Sequence, residues 1–160
     1  MINTKTSSTS IEALARGFSS RIPHSLDIGM VFEDASPDGK TRMRLPPQPH
    51  LSGDRGGAFF FNGVLFSLAD SACGLAVLRS LGQFVPIATL DMRIDHFSPA
   101  TMDADLVAVA EVYRMTQSIA FARCELLCGP QSKLAANVVA TFMLSSSSTP
   151  HPSALTGNVP

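Results

Sequence analysis

Charge is scarce in this 160-residue chain and neither sign prevails: thirteen Asp and Glu stand against twelve Lys and Arg, a formal net charge of −1. So small an imbalance leaves no electrostatic footprint for nucleic acid or for an anionic membrane surface. The one Arg-Gly-Gly, at Arg55, is not repeated. Cysteines are few as well. Cys73, Cys124 and Cys128 make an odd count with no secretory leader ahead of them, which argues against a disulfide framework. Cys124 and Cys128 lie four apart in an extended run, roughly 13 Å, too far to bridge each other. Buried reduced thiols and a cytoplasmic location are the expectation. No apolar run is expected to span a membrane. His24, His50, His96 and His151 are scattered without ligand spacing, so no metal site and no cofactor is expected. Gly-x-Ser-x-Gly, P-loop and dinucleotide fingerprints are all missing, which removes several enzyme classes. No internal repeat is visible.

Apolar residues, by contrast, are plentiful. Hydrophobic content of 45% with only 16% charge is high for one small domain, and part of that surface is expected to be buried between subunits. The chain is organised around Phe61 to Leu81, an apolar run with the character of a helix buried inside its domain. Asn62 suits its N-cap, and Gly82 suits the residue just past its end. One narrow stripe breaks the apolar surface: Gly63, Ser67, Asp70 and Gly74 follow at helical spacing, with a single carboxylate among small residues. A carboxylate in that setting either faces a cleft or is held by hydrogen bonds.

Around this helix the pattern is mostly extended. Residues 1–10 are Ser/Thr-rich and expected to be loose, and Ile11, Leu14 and Phe18 predict a short helix that ends by Pro23. Leu26 to Glu33 and Lys40 to Leu45 predict two antiparallel strands about the turn Ser36-Pro37-Asp38-Gly39. His50 to Gly57 is a Gly-rich loop into the helix. Ile87 to Phe97, Asp105 to Arg114, Ile119 to Cys128 and Lys133 to Leu144 predict four more strands, paired in sequence as a meander. A single α+β domain over residues 11–144 results, a long central helix wrapped by a curved antiparallel sheet of about six strands, with a Ser/Thr/Pro tail over 145–160. One layer of sheet leaves the helix's remaining side for a second copy.

At this point the chain resembles the hotdog-fold acyl-CoA thioesterases, and within them the phenylacetate-pathway (PaaI-like) group. Four places carry the resemblance: Arg21-Ile22-Pro23 with Leu26-Asp27-Ile28-Gly29; Gly63-Val64-Leu65-Phe66-Ser67-Leu68-Ala69-Asp70-Ser71-Ala72; Thr89-Leu90-Asp91-Met92-Arg93-Ile94 ending in Phe97-Ser98-Pro99-Ala100; and Ala135 to Phe142. There are departures. Phe61-Asn62-Gly63 stands where the family has His-Gly-Gly, Ser98 where it often has Arg, and Thr116-Gln117 where it often turns on Gly-Arg. The resemblance implies hydrolysis of an acyl-CoA thioester by a homodimer or homotetramer. It makes Asp70 the catalytic carboxylate, Asn62 and Gly63 the oxyanion donors, and Phe61, Phe66, Ser67, Ser71 and Gly74 the substrate-binding set.

Thioester hydrolysis needs a carboxylate to activate water or attack the carbonyl carbon, and donors aimed at the oxygen where charge develops. A helix N-terminus has such donors, because its first N–H groups are unpaired and its dipole end is positive. Asn62 and Asp70 are eight residues apart, roughly 12 Å along a helix axis, so joint action requires the Asp70 of one subunit to meet the Asn62 and Gly63 amides of another. Plainer roles compete. Asn62 can be only a cap, Asp70 only a hydrogen-bonded buried acid, Ser67 and Gly74 only small, and Phe59, Phe60, Phe61 and Phe66 only core. His96, alternating with Ile94, has a structural histidine as its default. Two other functions compete as well: a non-catalytic acyl-CoA-binding module, and a thioester dehydratase or hydratase, which Asn62-Gly63-Val64-Leu65 resembles at its helix entry but for which no His falls at a matching position.

Overall fold

The computed structural model describes residues 13, 17, 21–33 and 38–145. In chain order the elements are helix α1 (Pro23–Asp27), strands β1 (Val31–Phe32) and β2 (Thr41–Leu45), a 3-10 turn (Pro49–Leu51), helix α2 (Asn62–Leu81), and strands β3 (Ile87–His96), β4 (Leu106–Met115), β5 (Ile119–Cys128) and β6 (Lys133–Leu144). The expected N-terminal helix over Ile11 to Phe18 lies outside the described residues apart from Ala13 and Gly17. So do residues 1–10, Ser36 and Pro37 of the first turn, and the tail beyond Ser145.

The six strands form one antiparallel sheet in the order β1-β2-β4-β5-β6-β3, with α2 packed against β2 to β6. Alternation along the strands explains the core. Ala108, Ala110, Ala120, Ala122, Ala136 and Ala140 face inward, and their small side chains let a helix that is apolar nearly all round sit close to the sheet. Leu65, Leu68, Ala72, Cys73 and Val77 of α2 fill that space and are fully buried. All three cysteines are free and buried. Cys73 hydrogen-bonds the Cys124 thiol, and that contact together with burial pushes Cys124 well above the ordinary thiol range.

Four expectations need correction. The strand expected from Leu26 is a helix first: Pro23 sits in its opening turn, where a missing N–H costs nothing, and Leu26 N–H donates to Ile22 O at 3.2 Å. Gly29, at φ +75°, ends that segment and leaves only Val31–Phe32 as strand. Second, the last four strands are not one meander. β4, β5 and β6 are joined by tight turns and pair in sequence, but β3 pairs with β6. The connection after β3 is the reason. Phe97 and Ser98 N–H groups both bond Ala135 O, and Phe60 N–H bonds Ala100 O, so residues 97–105 cross beneath the start of α2 to the far side of the sheet. Third, Asn62 is not the N-cap. Phe61 is, held extended by its N–H bond to Leu51 O at 2.9 Å, and no side chain caps the helix. Fourth, α2 is by length and composition apolar enough to cross a membrane, with 56% of that stretch buried inside the fold, as befits a core helix. At its other end Gly82, at φ +67°, closes α2 as the spacing predicts.

Candidate active site

Helical spacing places Ser67, Asp70, Ser71 and Gly74 on one side of α2, and a cavity of about 430 Å³ opens there. Its wall continues through Phe66 and Leu78 of the same helix, Phe84, Val85 and Pro86 of the next connection, Ile87 and Thr89 of β3, Phe142 of β6, and Ile22, His24 and Ser25 at the start of α1. Its lining is apolar toward Gly74, where Ile87 and Phe142 meet the helix, and mixed toward Ser67, where His24 joins Phe66 and Ile22. Gly74 lies against the cavity's apolar wall: a Cβ there would meet Ile87 Cδ1 and Phe142 Cε1 in ordinary contact at 3.7 Å.

Asp70 both faces this cleft and is hydrogen-bonded. Thr89 Oγ1 donates to its Oδ1 at 2.7 Å, while Oδ2 has no protein partner among the described residues. Thr89 reaches it because β3 alternates: Ile87 and Thr89 are paired with Leu144 and Phe142 on the inner face, and an irregularity before Asp91 sends Leu90 outward. Ser67, one turn before Asp70, is also engaged, by His24 Nε2 at 3.0 Å. Sequence reasoning missed both Thr89 and His24. Strand alternation could have flagged Thr89; nothing local ties His24 to a serine 43 residues on.

Phe61, Asn62 and Gly63 lie elsewhere, at the exposed start of α2. The Asn62 and Gly63 N–H groups belong to the first helical turn and have no intrahelical acceptor. The Phe61 ring lies over Gly63, where a Cβ would fall 2.6 Å from Phe61 Cε1. The loop ahead is fixed by Asp54, whose carboxylate accepts from the N–H groups of Gly56, Ala58 and Phe59 and from the Ser52 hydroxyl. Those donors, Phe59 N–H foremost, hold Asp54 below the usual carboxylate range.

A second cavity of about 440 Å³, beside Lys40, Arg79 and Glu111 at the other end of α2, has no such carboxylate on an apolar wall. Its charges are spent locally: Arg79 donates to Thr41 Oγ1 and Lys40 O, and Glu111, held below its ordinary range by Arg123 and then Lys40, pairs with both. Among the described residues no group of three His, Cys, Asp or Glu is placed to hold a metal ion.

The thioesterase superfamily model matches residues 57–135, the stretch holding α2, β3 to β5, Asp70 and Thr89. Over those residues the chain matches the thioesterase superfamily. Its fold is the hotdog of that superfamily. A Pseudomonas aeruginosa protein of known structure is 29% identical, with a TM-score of 0.73 over 83% of this chain and 98% of its own. A Shewanella oneidensis protein related to the thioesterase superfamily superposes at TM-score 0.75 and 18% identity, covering 89% and 100%. The Escherichia coli PaaI protein from the phenylacetic acid degradation operon superposes at 0.72 and 19% identity, covering 87% and 96%. No curated protein matches the sequence significantly.

Within such a fold, a carboxylate with one oxygen pinned and the other open to an apolar cleft can activate water against an acyl carbon held beside it.

Proposed function

We propose that the protein is an acyl-CoA thioesterase of the PaaI-like kind, working as a homodimer or a pair of dimers. The observation that carries this is Asp70, half-buried at the middle of α2, with Thr89 fixing Oδ1 and a cavity with an apolar end beside the carboxylate. Asp70 serves as base or nucleophile; the Asn62 and Gly63 N–H groups of a second copy serve as the oxyanion hole, since the roughly 12 Å between them and Asp70 along one helix bars action within a single chain.

Two features support a second copy at this place. β3 is an edge strand of ten residues paired only with β6, a long open ladder of the kind that accepts another strand. Leu90 on β3, Phe66 at the cleft and Phe61 at the start of α2 are each more than 40% exposed. Phe66, Ser67, Ser71 and Gly74 line the substrate cleft beside Asp70, and Phe61 meets the partner's cleft.

The test is a hydrolysis screen over phenylacetyl-, acetyl-, octanoyl- and palmitoyl-CoA, with Asp70→Asn as control. Turnover on at least one thioester, lost in the variant while binding persists, is expected. Tight binding without turnover would make the protein a binding module. His24 in the same cavity gives a thioester hydratase one observation in its favour, so 3-hydroxybutyryl-CoA is included; its dehydration in place of any hydrolysis would overturn the thioesterase.

A further inference from the structure

A serine inside a helix ordinarily returns its hydroxyl to the carbonyl four residues back. Ser67 instead meets His24 Nε2 at 3.0 Å, from a different element. The imidazole is not needed to hold that element in place. α1 is anchored through Ser25, buried against the fold, and through Gln48 Nε2 donating to Ile28 O at 2.9 Å. His24 therefore extends over the cleft from a support fixed by other bonds.

Position along α2 gives the pair a direction. Gly74, against Ile87 and Phe142, and Leu78 lie beyond Asp70 at the apolar end; Ser67, beside Phe66 and bonded to His24, lies one turn before it. A thioester with its carbonyl carbon at Asp70 and its acyl chain in the apolar end has its sulfur on the Ser67 side. Resting on the thioesterase function above, we propose that Ser67 and His24 protonate the leaving thiolate. Water oxygen bonds to the carbonyl carbon as Asp70 takes its proton. The C–S bond breaks with its electron pair on sulfur. Sulfur takes the Ser67 hydroxyl proton, and Ser67 takes the Nε2 proton of imidazolium. The carboxyl proton on Asp70 returns to His24 through solvent, closing the cycle. Ser67 is the catalytic group; His24, acting through it, is the positioning residue and proton source.

Leaving-group dependence tests the assignment. The kcat/KM of wild type, Ser67→Ala and His24→Gln is measured on octanoyl-CoA and on S-(4-nitrophenyl) thiooctanoate, whose aryl thiolate departs without a proton. Gln can still hydrogen-bond Ser67 but cannot give up a proton. A positioned general acid contributes about 10²-fold or more for poor leaving groups, so each variant is expected to lose at least about tenfold more on octanoyl-CoA than on the aryl ester. Equal losses on both esters, or no loss on either, would overturn the proposal, as would His24→Gln matching wild type on octanoyl-CoA. Residual aryl-ester hydrolysis reports that the variants are folded. Where wild type does not turn over octanoyl-CoA, the two esters carry instead the acyl group of the best thioester in the screen above; if no thioester of that screen is cleaved, the thioesterase function itself fails, a result distinct from all the others.

Discussion

Replacing Thr89 by Val removes one hydroxyl from β3 and leaves the shape of the side chain nearly intact. The 2.7 Å bond to Asp70 Oδ1 is lost, and the carboxylate regains a rotational freedom it does not have in the folded protein. A hydrogen bond to a charged group is worth about 1.5–3 kcal/mol, less where water replaces the donor. In a single chain Thr89 is exposed, so the low end applies: about 1 kcal/mol, or about fivefold in kcat. If a second copy covers β3 and dries the cleft, the cost rises toward 3 kcal/mol, about 150-fold. The size of the effect thus reports on the assembly as well as on the residue. Thr89→Ser, which keeps the donor, is expected to stay within about threefold of wild type on this argument.

A double-mutant cycle decides whether Thr89 acts through Asp70. Steady-state hydrolysis is compared for Thr89→Val, Asp70→Asn and the pair. If the hydroxyl serves only to aim the carboxylate, adding Thr89→Val to Asp70→Asn costs nothing further, because the group it aimed no longer works. Full additivity would refute the reasoning and place Thr89 on substrate or water in its own right. Valine is at home in strands, so unchanged thermal unfolding is the control.

Gly74→Ala is expected to stabilise α2 by about 0.5–1 kcal/mol, seen as a raised Tm, since its Cβ meets only ordinary contacts at 3.7 Å; Gly74→Leu fills the cleft and is expected to depress octanoyl-CoA hydrolysis more than acetyl-CoA hydrolysis. Asp54 is held low by the loop's N–H groups, so its contribution is full above the unfolded carboxylate's range and is lost as pH falls through its depressed folded value: protection of the Gly56, Ala58 and Phe59 amides from hydrogen exchange, corrected for intrinsic rates, is expected to fall on acidification in wild type and to be absent in Asp54→Ala. Mixing Asp70→Asn with Asn62→Pro chains is expected to restore about a quarter of wild-type activity, because half of randomly re-associated dimers are mixed and each has one intact site of two; no recovery in mixed dimers confirmed by mass spectrometry would show that the two groups do not share a site between subunits.

What the sequence made legible is local. The limits of α2 agree to one residue with the run Phe61 to Leu81, Gly82 ends it, and β5 and β6 fall where alternation and the Gly129-Pro130 turn put them. These follow from periodicity and from residues with restricted or permissive backbones, which act within a few positions. The stripe Ser67, Asp70, Gly74 was legible for the same reason, being one helix's own geometry. The N-cap was not, because Phe61 is held extended by Leu51 O across a loop.

The place of β3 was hidden by something different in kind. Neighbours in sequence usually neighbour in a sheet, and no residue of β3 contradicts pairing with β4. The deciding bonds come from Ala135 O, which takes both Phe97 and Ser98 N–H, and from Ser98 Oγ donating to Leu134 O, nearly forty residues on. That displacement is what makes a site. With β3 beside β4 it would lie inside a meander; set beyond β6, it forms the free edge of the sheet and brings Thr89 against Asp70, while Phe142 of β6 backs the apolar end of the cleft. The same crossing seats Ala100 under Phe60 and so fixes where α2 begins. One non-local pairing therefore sets the wall of the cavity, the partner of its carboxylate and the edge open to a second copy, and a substitution that loosens Ser98 from Leu134 would disturb all three together.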